Sequence, residues 1–197
     1  MRRITVFIAA GLLAAACSSD PTGSQTNQLN FLVTAAGAPG IANPSDSFWA
    51  VSGQDRRLRI YYHSTEPGDS EILLDFKVPS GALFQRPDGT PFALGDSILI
   101  HVAVIDTVHL IVAFEPAGLL FSAATPAHLK LGFAETDDDV NHDGVVNQVD
   151  TTLTQQLQLW RQESSGAPWF PLSTVVTISD DEANTDIYSF TNYALAY

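Results

Sequence analysis

From Leu29 onward, short apolar stretches alternate with Gly, Pro and Asp turns, the pattern of an all-β chain. The expected strands cover residues 28–36, 48–52, 57–63, 71–78, 97–105, 108–115, 128–135, 158–163, 174–179 and 186–196. Glu66-Pro67-Gly68-Asp69 and Arg86-Pro87-Asp88-Gly89 supply the preset φ and the permissive left-handed position that turns need. Asp106-Thr107 joins two β-prone runs and predicts a tight two-residue hairpin. Residues 98–105 are apolar in both phases, which predicts a strand that is central or buried on both sides. In residues 57–62, Arg57, Arg59 and Tyr61 alternate with Leu58, Ile60 and Tyr62, which predicts a half-exposed strand.

One segment departs from this pattern. Val149, Leu153, Leu157 and Trp160 fall at helical spacing, and no helix breaker interrupts Thr151 to Gln156. A short helix over 148–156 is expected, followed by a return to strand. The fold class is therefore mainly β, an antiparallel β-sandwich with one short helix.

The helix follows Asp139-Val140-Asn141-His142-Asp143-Gly144-Val145-Val146-Asn147-Gln148-Val149-Asp150. Side-chain oxygens occupy the first, third, fifth, ninth and twelfth places, and glycine the sixth, which is the ligand spacing of a calcium loop. The expected donors to Ca2+ are Asp139, Asn141, Asp143, the Val145 carbonyl, Asn147 and Asp150. Asn147 acts directly or through water. Val146 holds the place where such loops carry an apolar residue. Glu135, Asp137 and Asp138 add negative charge that a cation would relieve, so binding is expected to stabilise the fold. His142 is expected to face solvent. His101 and His109, either side of the Asp106 hairpin, are read as strand histidines rather than a metal pair.

The N-terminus carries a second message. Met1-Arg2-Arg3 is a basic start, and residues 4–16 are apolar. That run is short of the roughly 17–25 residues that span a bilayer but suits an export signal. It ends Leu13-Ala14-Ala15-Ala16-Cys17-Ser18, which resembles the bacterial lipobox, with Ala14 where leucine is usual. The resemblance implies a signal peptide over 1–16 and a lipid on Cys17. The polar stretch that follows reads as a flexible tether, 17–27, and the domain as 28–197 with the calcium unit inserted at about 137–157. Cys17 is the only cysteine, so no intrachain disulfide exists and an acylated thiol accounts for it. In a Gram-negative host, Ser18 after the cysteine favours the outer membrane or cell surface.

Cleavage before Cys17 leaves seven basic against 22 acidic side chains, a balance of −15. Arg56, Arg57 and Arg59 are the densest basic run, too little for a phosphate-binding face, so nucleic acid is excluded as a partner. No Gly-x-Ser-x-Gly elbow, phosphate loop, His-Glu-x-x-His helix or dinucleotide fingerprint occurs, and no catalytic residue is assigned.

The loop and its helix resemble half of a bacterial dockerin, with Asp150 where helix–loop–helix proteins close with glutamate. Dockerins use two such units and this chain has one, so cohesin binding is not implied. Residues 75–197 resemble the ZU5-type β-sandwich of bacterial surface proteins and lipoproteins. The matching stretches are Val78-Pro79-Ser80-Gly81-Ala82-Leu83, Phe114 to Phe121, Pro126 to Leu131, Leu159-Trp160-Arg161, Trp169 to Leu172, and Phe190 to Leu195. The resemblance implies that Trp160 and Trp169 are packing residues, and tryptophans of a sandwich generally pack, which includes Trp49. Residues 28–74 are expected to add strands to the same sandwich. Some proteins with this domain cleave themselves at His-Phe-Ser. Ser189-Phe190-Thr191 keeps the hydroxyl but lacks the histidine that would activate it, so no self-cleavage is expected.

These readings converge on a non-enzymatic, exported protein held to a membrane through Cys17, with a structural Ca2+ site and an unidentified protein or glycan partner. The rival reading is a calcium-dependent adhesion or carbohydrate-binding module. A further rival is an accessory enzyme that uses two carboxylates in one cleft.

Overall fold

Leu58 and Ile60 are buried while Arg57 and Arg59 face outward, so the alternation in the sequence translates into a sheet with one solvated face. A computed structural model of the chain describes residues 29–64 and 71–197. The signal peptide, Cys17, the tether and the 66–69 turn lie outside these residues.

Thirteen strands and one helix are present among the described residues. In chain order they are β1 (Ser45–Val51), β2 (Arg56–Tyr61), β3 (Ile72–Val78), β4 (Leu83–Gln85), β5 (Ser97–Asp106), β6 (Ile111–Glu115), β7 (Leu120–Phe121), β8 (Ala127–Gly132), α1 (Gln148–Thr154), β9 (Gln158–Gln162), β10 (Trp169–Pro171), β11 (Val175–Thr177), β12 (Glu182–Ile187) and β13 (Asn192–Ala196). One sheet has the order β1-β5-β6-β13-β9-β10 and the other β11-β12-β8-β3-β2, with β4 and β7 forming a small ribbon. Every pairing is antiparallel. The fold is mainly β, as expected, and residues 45–61 do contribute strands to the two sheets.

The sheets meet through one core. Phe76 on β3 sits at its centre, with ring centroids 5.0 Å from Phe114, 5.8 Å from Phe190 and 6.1 Å from Phe48. Edge-to-face packing of this kind adds to the gain from removing the rings from water. Outside the core, Asp75 on β3 is buried and accepts from Arg57 Nε at 2.6 Å and Arg59 Nε at 3.0 Å. Lys130, opposite Asp75 on β8, pairs with Glu182.

Several expectations need correction. Residues 29–36 form no continuous strand. They make isolated bridges, Phe31 to Ala196 and Thr34 to Thr136, because their hydrogen-bond partners change from β13 to the 107–108 turn and then to the 135–137 segment. The 186–196 run splits in two: β12 belongs to one sheet and β13 to the other, with Tyr188–Thr191 crossing between them. The 128–135 strand ends at Gly132, where a Cβ would lie 2.2 Å from the Ile72 carbonyl oxygen. The 174–179 run becomes β11 and a 3-10 turn over Ile178–Asp180.

The hairpin after β5 is longer than two residues. Asp106 pairs with Ile111, and its carboxylate accepts the Val108 and His109 N–H groups at 2.8 and 3.0 Å. This side-chain turn, with Leu110 at φ +50°, replaces the glycine that a tighter loop requires. β5 is central in its sheet but one-sided: Ile100, Val102 and Val104 are buried, whereas Leu99 and Ile105 are exposed. The short strands β4, β7 and β10 have no alternation long enough to read.

Candidate metal centre

The loop from Asp139 to Asp150 lies between β8 and β9 and leads directly into α1. Its fold is set by acidic and amide side chains accepting backbone N–H groups, which local Asx geometry favours. Asp139 Oδ2 accepts Gly144 N–H at 2.7 Å and Oδ1 accepts Asp143 N–H at 3.1 Å. Asn141 Oδ1 accepts the same Asp143 N–H at 2.9 Å, and its amide donates to Asp143 Oδ2 at 3.1 Å. The side chains at the first, third and fifth places are thereby drawn together. Gly144 has φ +88°, a left-handed conformation with no Cβ penalty for glycine.

Asp150 closes the loop. Its Oδ1 accepts the Asn141 N–H at 3.2 Å and its Oδ2 the Asn147 N–H at 2.8 Å. Asn147 Oδ1 in turn accepts the Val149 N–H at 2.7 Å, so Asn147 and Asp150 cap α1 reciprocally. Only 2% of Asp150 is exposed. The Asn147 N–H, followed by the Asn141 N–H, holds its carboxyl below the usual carboxylate range.

The remaining expected ligands are arranged less compactly. The Val145 carbonyl accepts from Asn147 Nδ2 at 2.8 Å, so these two groups engage each other. Among the described residues, no three His, Cys, Asp or Glu side chains converge as a metal cluster. The donors nevertheless fit a hard cation in kind: all are oxygens, mixed from carboxylate, amide and carbonyl groups. Among the described ion pairs, none involves Asp137, Asp138, Asp139, Asp143 or Asp150. If bound, Ca2+ would be held by Asp139, Asn141, Asp143, Val145, Asn147 and Asp150, and would supply charge neutralisation and loop rigidity.

The helix differs in detail from its sequence reading. It stops at Thr154. Val149 is exposed, Leu157 is buried beyond the helix end, and Trp160 belongs to β9. The apolar spacing therefore spans a helix, a turn and a strand rather than one helical face.

The loop packs on the sandwich around a cleft of about 230 Å³, which Leu32, Phe133, Val140, Leu157, Ile178 and Asp181 help to line. Burial, then the charges of Asp138 and Asp180, push the Asp181 carboxyl up. Tyr197 was not foreseen as part of this region. Its hydroxyl donates to the Val140 carbonyl at 2.9 Å. Burial, then the charges of Asp150 and Asp139, raise its pKa. Nothing in the local sequence marks Tyr197, because its partner lies far away along the chain.

Other singled-out residues fall elsewhere. His142 is exposed with φ +56°. His101 Nδ1 pairs with Ser47 Oγ at 2.8 Å, and His109 Nδ1 with Asp106 Oδ2 at 2.8 Å. Thr191 is buried, and its hydroxyl donates to the Asn192 carbonyl at 3.2 Å. Trp160 and Trp169 are partly buried: Trp160 donates to the Ala196 carbonyl at 3.2 Å, and Trp169 meets the Phe31 ring at 5.3 Å. Trp49 does not pack as expected but is 59% exposed, because it occupies the outward phase of edge strand β1 opposite Leu99. No family model matches the chain, and no curated protein or solved structure is significantly similar to it.

Proposed function

We propose that this is a non-enzymatic, exported protein, lipid-anchored through Cys17 at the outer membrane or cell surface. Its ZU5-type sandwich carries a structural calcium site in the 139–150 loop, and the role is binding or structural at the envelope. The carrying observation is the closure of that loop by the Asp150 carboxylate on the Asn141 and Asn147 N–H groups. The closure joins the twelfth place to the third while Asp139, Asn141 and Asp143 draw together. A cation there offsets the mutual repulsion of carboxylates that have no described cationic partner.

Thermal melting of the chain in EDTA, then with calcium or magnesium restored, tests the metal. Calcium at about 100 times its dissociation constant adds about 2.7 kcal/mol, or roughly 5–10 °C for a domain of this size. The rise should be calcium-specific and absent in Asp139→Ala. No shift with any ion would sink the reading. Labelling with a fatty-acid probe, lost in Cys17→Ser, tests the anchor independently.

A second reading, a glycan-binding module, is favoured by Trp49. Its exposed ring lies beside Leu99, next to the Ser47–His101 pair on the same sheet face. Such an apolar plate flanked by hydrogen-bonding groups suits a sugar ring. Glycan-array binding that Trp49→Ala abolishes would support this reading. If calcium removal also abolished it, the contact would be calcium-dependent.

A further inference from the structure

Residues 30–35 are bonded on one side to the sandwich and on the other to the 135–137 segment that leads into the calcium loop. Asn30 N–H donates to the Tyr197 carbonyl at 3.4 Å, Tyr197 N–H donates back to Asn30 at 3.1 Å, and Leu32 N–H reaches Leu195 at 3.0 Å. Further on, Ala35 N–H donates to the Glu135 carbonyl at 2.9 Å and Asp137 N–H to the Val33 carbonyl at 2.8 Å. These partners adjoin the loop: Asp137 Oδ1 accepts the Asp139 N–H at 3.0 Å, and the Tyr197 hydroxyl holds the Val140 carbonyl at 2.9 Å. Leu32 is buried and lines the cleft beneath the loop. Thr34 is held separately, through the carbonyls of Thr107 and Val108.

We propose that calcium in the 139–150 loop latches residues 30–35 onto the domain, and so sets where the chain departs toward Cys17. The inference rests on the calcium reading above. Glu135, Asp137, Asp138, Asp139 and Asp143 crowd the segment that grips Val33 and Ala35, with Asp180 and Asp181 on the adjoining turn. Among the described residues none of these acids has a Lys or Arg partner. Without a cation their repulsion acts directly on the 135–139 segment and, through Val140, on Tyr197. The latch then loosens while the two sheets, whose ladders do not pass through the loop, stay paired. Releasing residues 30–35 adds about 20 Å of extended chain to the tether, at about 3.3 Å per residue. Calcium would thereby act as a control on the distance between domain and membrane.

Hydrogen exchange of the full chain, read by mass spectrometry with calcium or EDTA and paired with calorimetric calcium titration, tests this. Exchange over residues 30–35 should rise at least tenfold in EDTA, with β3 and β8 unchanged. Tyr197→Phe keeps the backbone bonds to Asn30 and loses the hydroxyl bond to Val140. It should bind calcium with wild-type stoichiometry but show a smaller calcium-dependent change in exchange at residues 30–32, with 33–35 responding as in the wild type. Measured calcium binding with equal exchange of residues 30–35 in both states would overturn the latch and leave the calcium site standing. No binding heat and no change at any amide would overturn both.

Discussion

The Asp150 carboxylate accepts the Asn141 N–H at 3.2 Å, tying the end of the acidic loop to its beginning. The same carboxylate caps α1, so Asp150 serves the fold whether or not a metal is present. Asp143 caps no helix; its carboxylate accepts only from within the loop, the Val145 N–H at 2.9 Å and the Asn141 side-chain amide at 3.1 Å. Asp150→Ala should lower the melting temperature in EDTA and abolish the calcium-induced rise. Asp143→Ala removes its loop hydrogen bonds but no helix cap, so it should lower the EDTA melt less than Asp150→Ala while also losing the calcium response. Differential scanning calorimetry in both buffers separates the two.

Asn147 gives a calibration of the cap alone. Its side chain accepts the Val149 N–H at 2.7 Å. Replacing such a cap with alanine costs about 1 kcal/mol, and Asn147→Ala should lower the melting temperature in EDTA by about 2–4 °C.

Asp75 provides a pH test away from the loop. Burial pushes its carboxyl up, but the hydrogen bonds from Arg57 and Arg59 outweigh this and hold it below the ordinary range. A carboxylate depressed in the folded state stabilises the fold above its unfolded pKa, about 3.9. That contribution fades as pH falls through the folded value. Asp75→Ala should cost about 1–2 kcal/mol at neutral pH, a modest figure because both arginines remain open to water. Replacing Arg57 and Arg59 together should cost more at neutral pH, since it strands a buried carboxylate. It should also remove or reverse the acid-side loss of stability due to Asp75, because burial alone raises its carboxyl and the folded state then takes up the proton more readily than the unfolded one. Urea melts from pH 3 to 7 check both.

Phe76 tests the core. It is fully buried and meets the rings of Phe48 and Phe114 on the opposite sheet, Phe121 on the small ribbon and Phe190 on the crossing segment. Phe76→Ala should cost about 3–5 kcal/mol, and Phe76→Leu clearly less, as read by chemical denaturation.

Thr191 bears on chain integrity. Its hydroxyl is buried against the Asn192 carbonyl, with Ser189 rather than histidine two residues before it. The purified chain should keep residues 191–197 attached on prolonged incubation, as intact mass would report.

Where one face of a strand is solvated, the sequence was a sufficient guide, as the Arg57–Ile60 alternation illustrates. Within the loop, it made legible in the same way the left-handed conformation of Gly144 and the helix that follows, because both are local properties. It misled wherever the outcome depended on distant partners. The 186–196 stretch is uniformly β-prone, yet the two halves pair in different sheets. Trp49 looks like a core residue by composition and is exposed by its phase on an edge strand. The Asp106 turn looks like a two-residue hairpin until its carboxylate is seen collecting two N–H groups. Tyr197 joins the loop through a single hydroxyl, a contact that no periodicity encodes.

The reciprocal bonds between Asn30 and Tyr197 have an engineering consequence. They place residues 30 and 197 side by side, the kind of proximity between distant chain positions that permutation exploits. A short linker joining residue 197 to residue 30 would close the backbone into a ring without unpairing a strand.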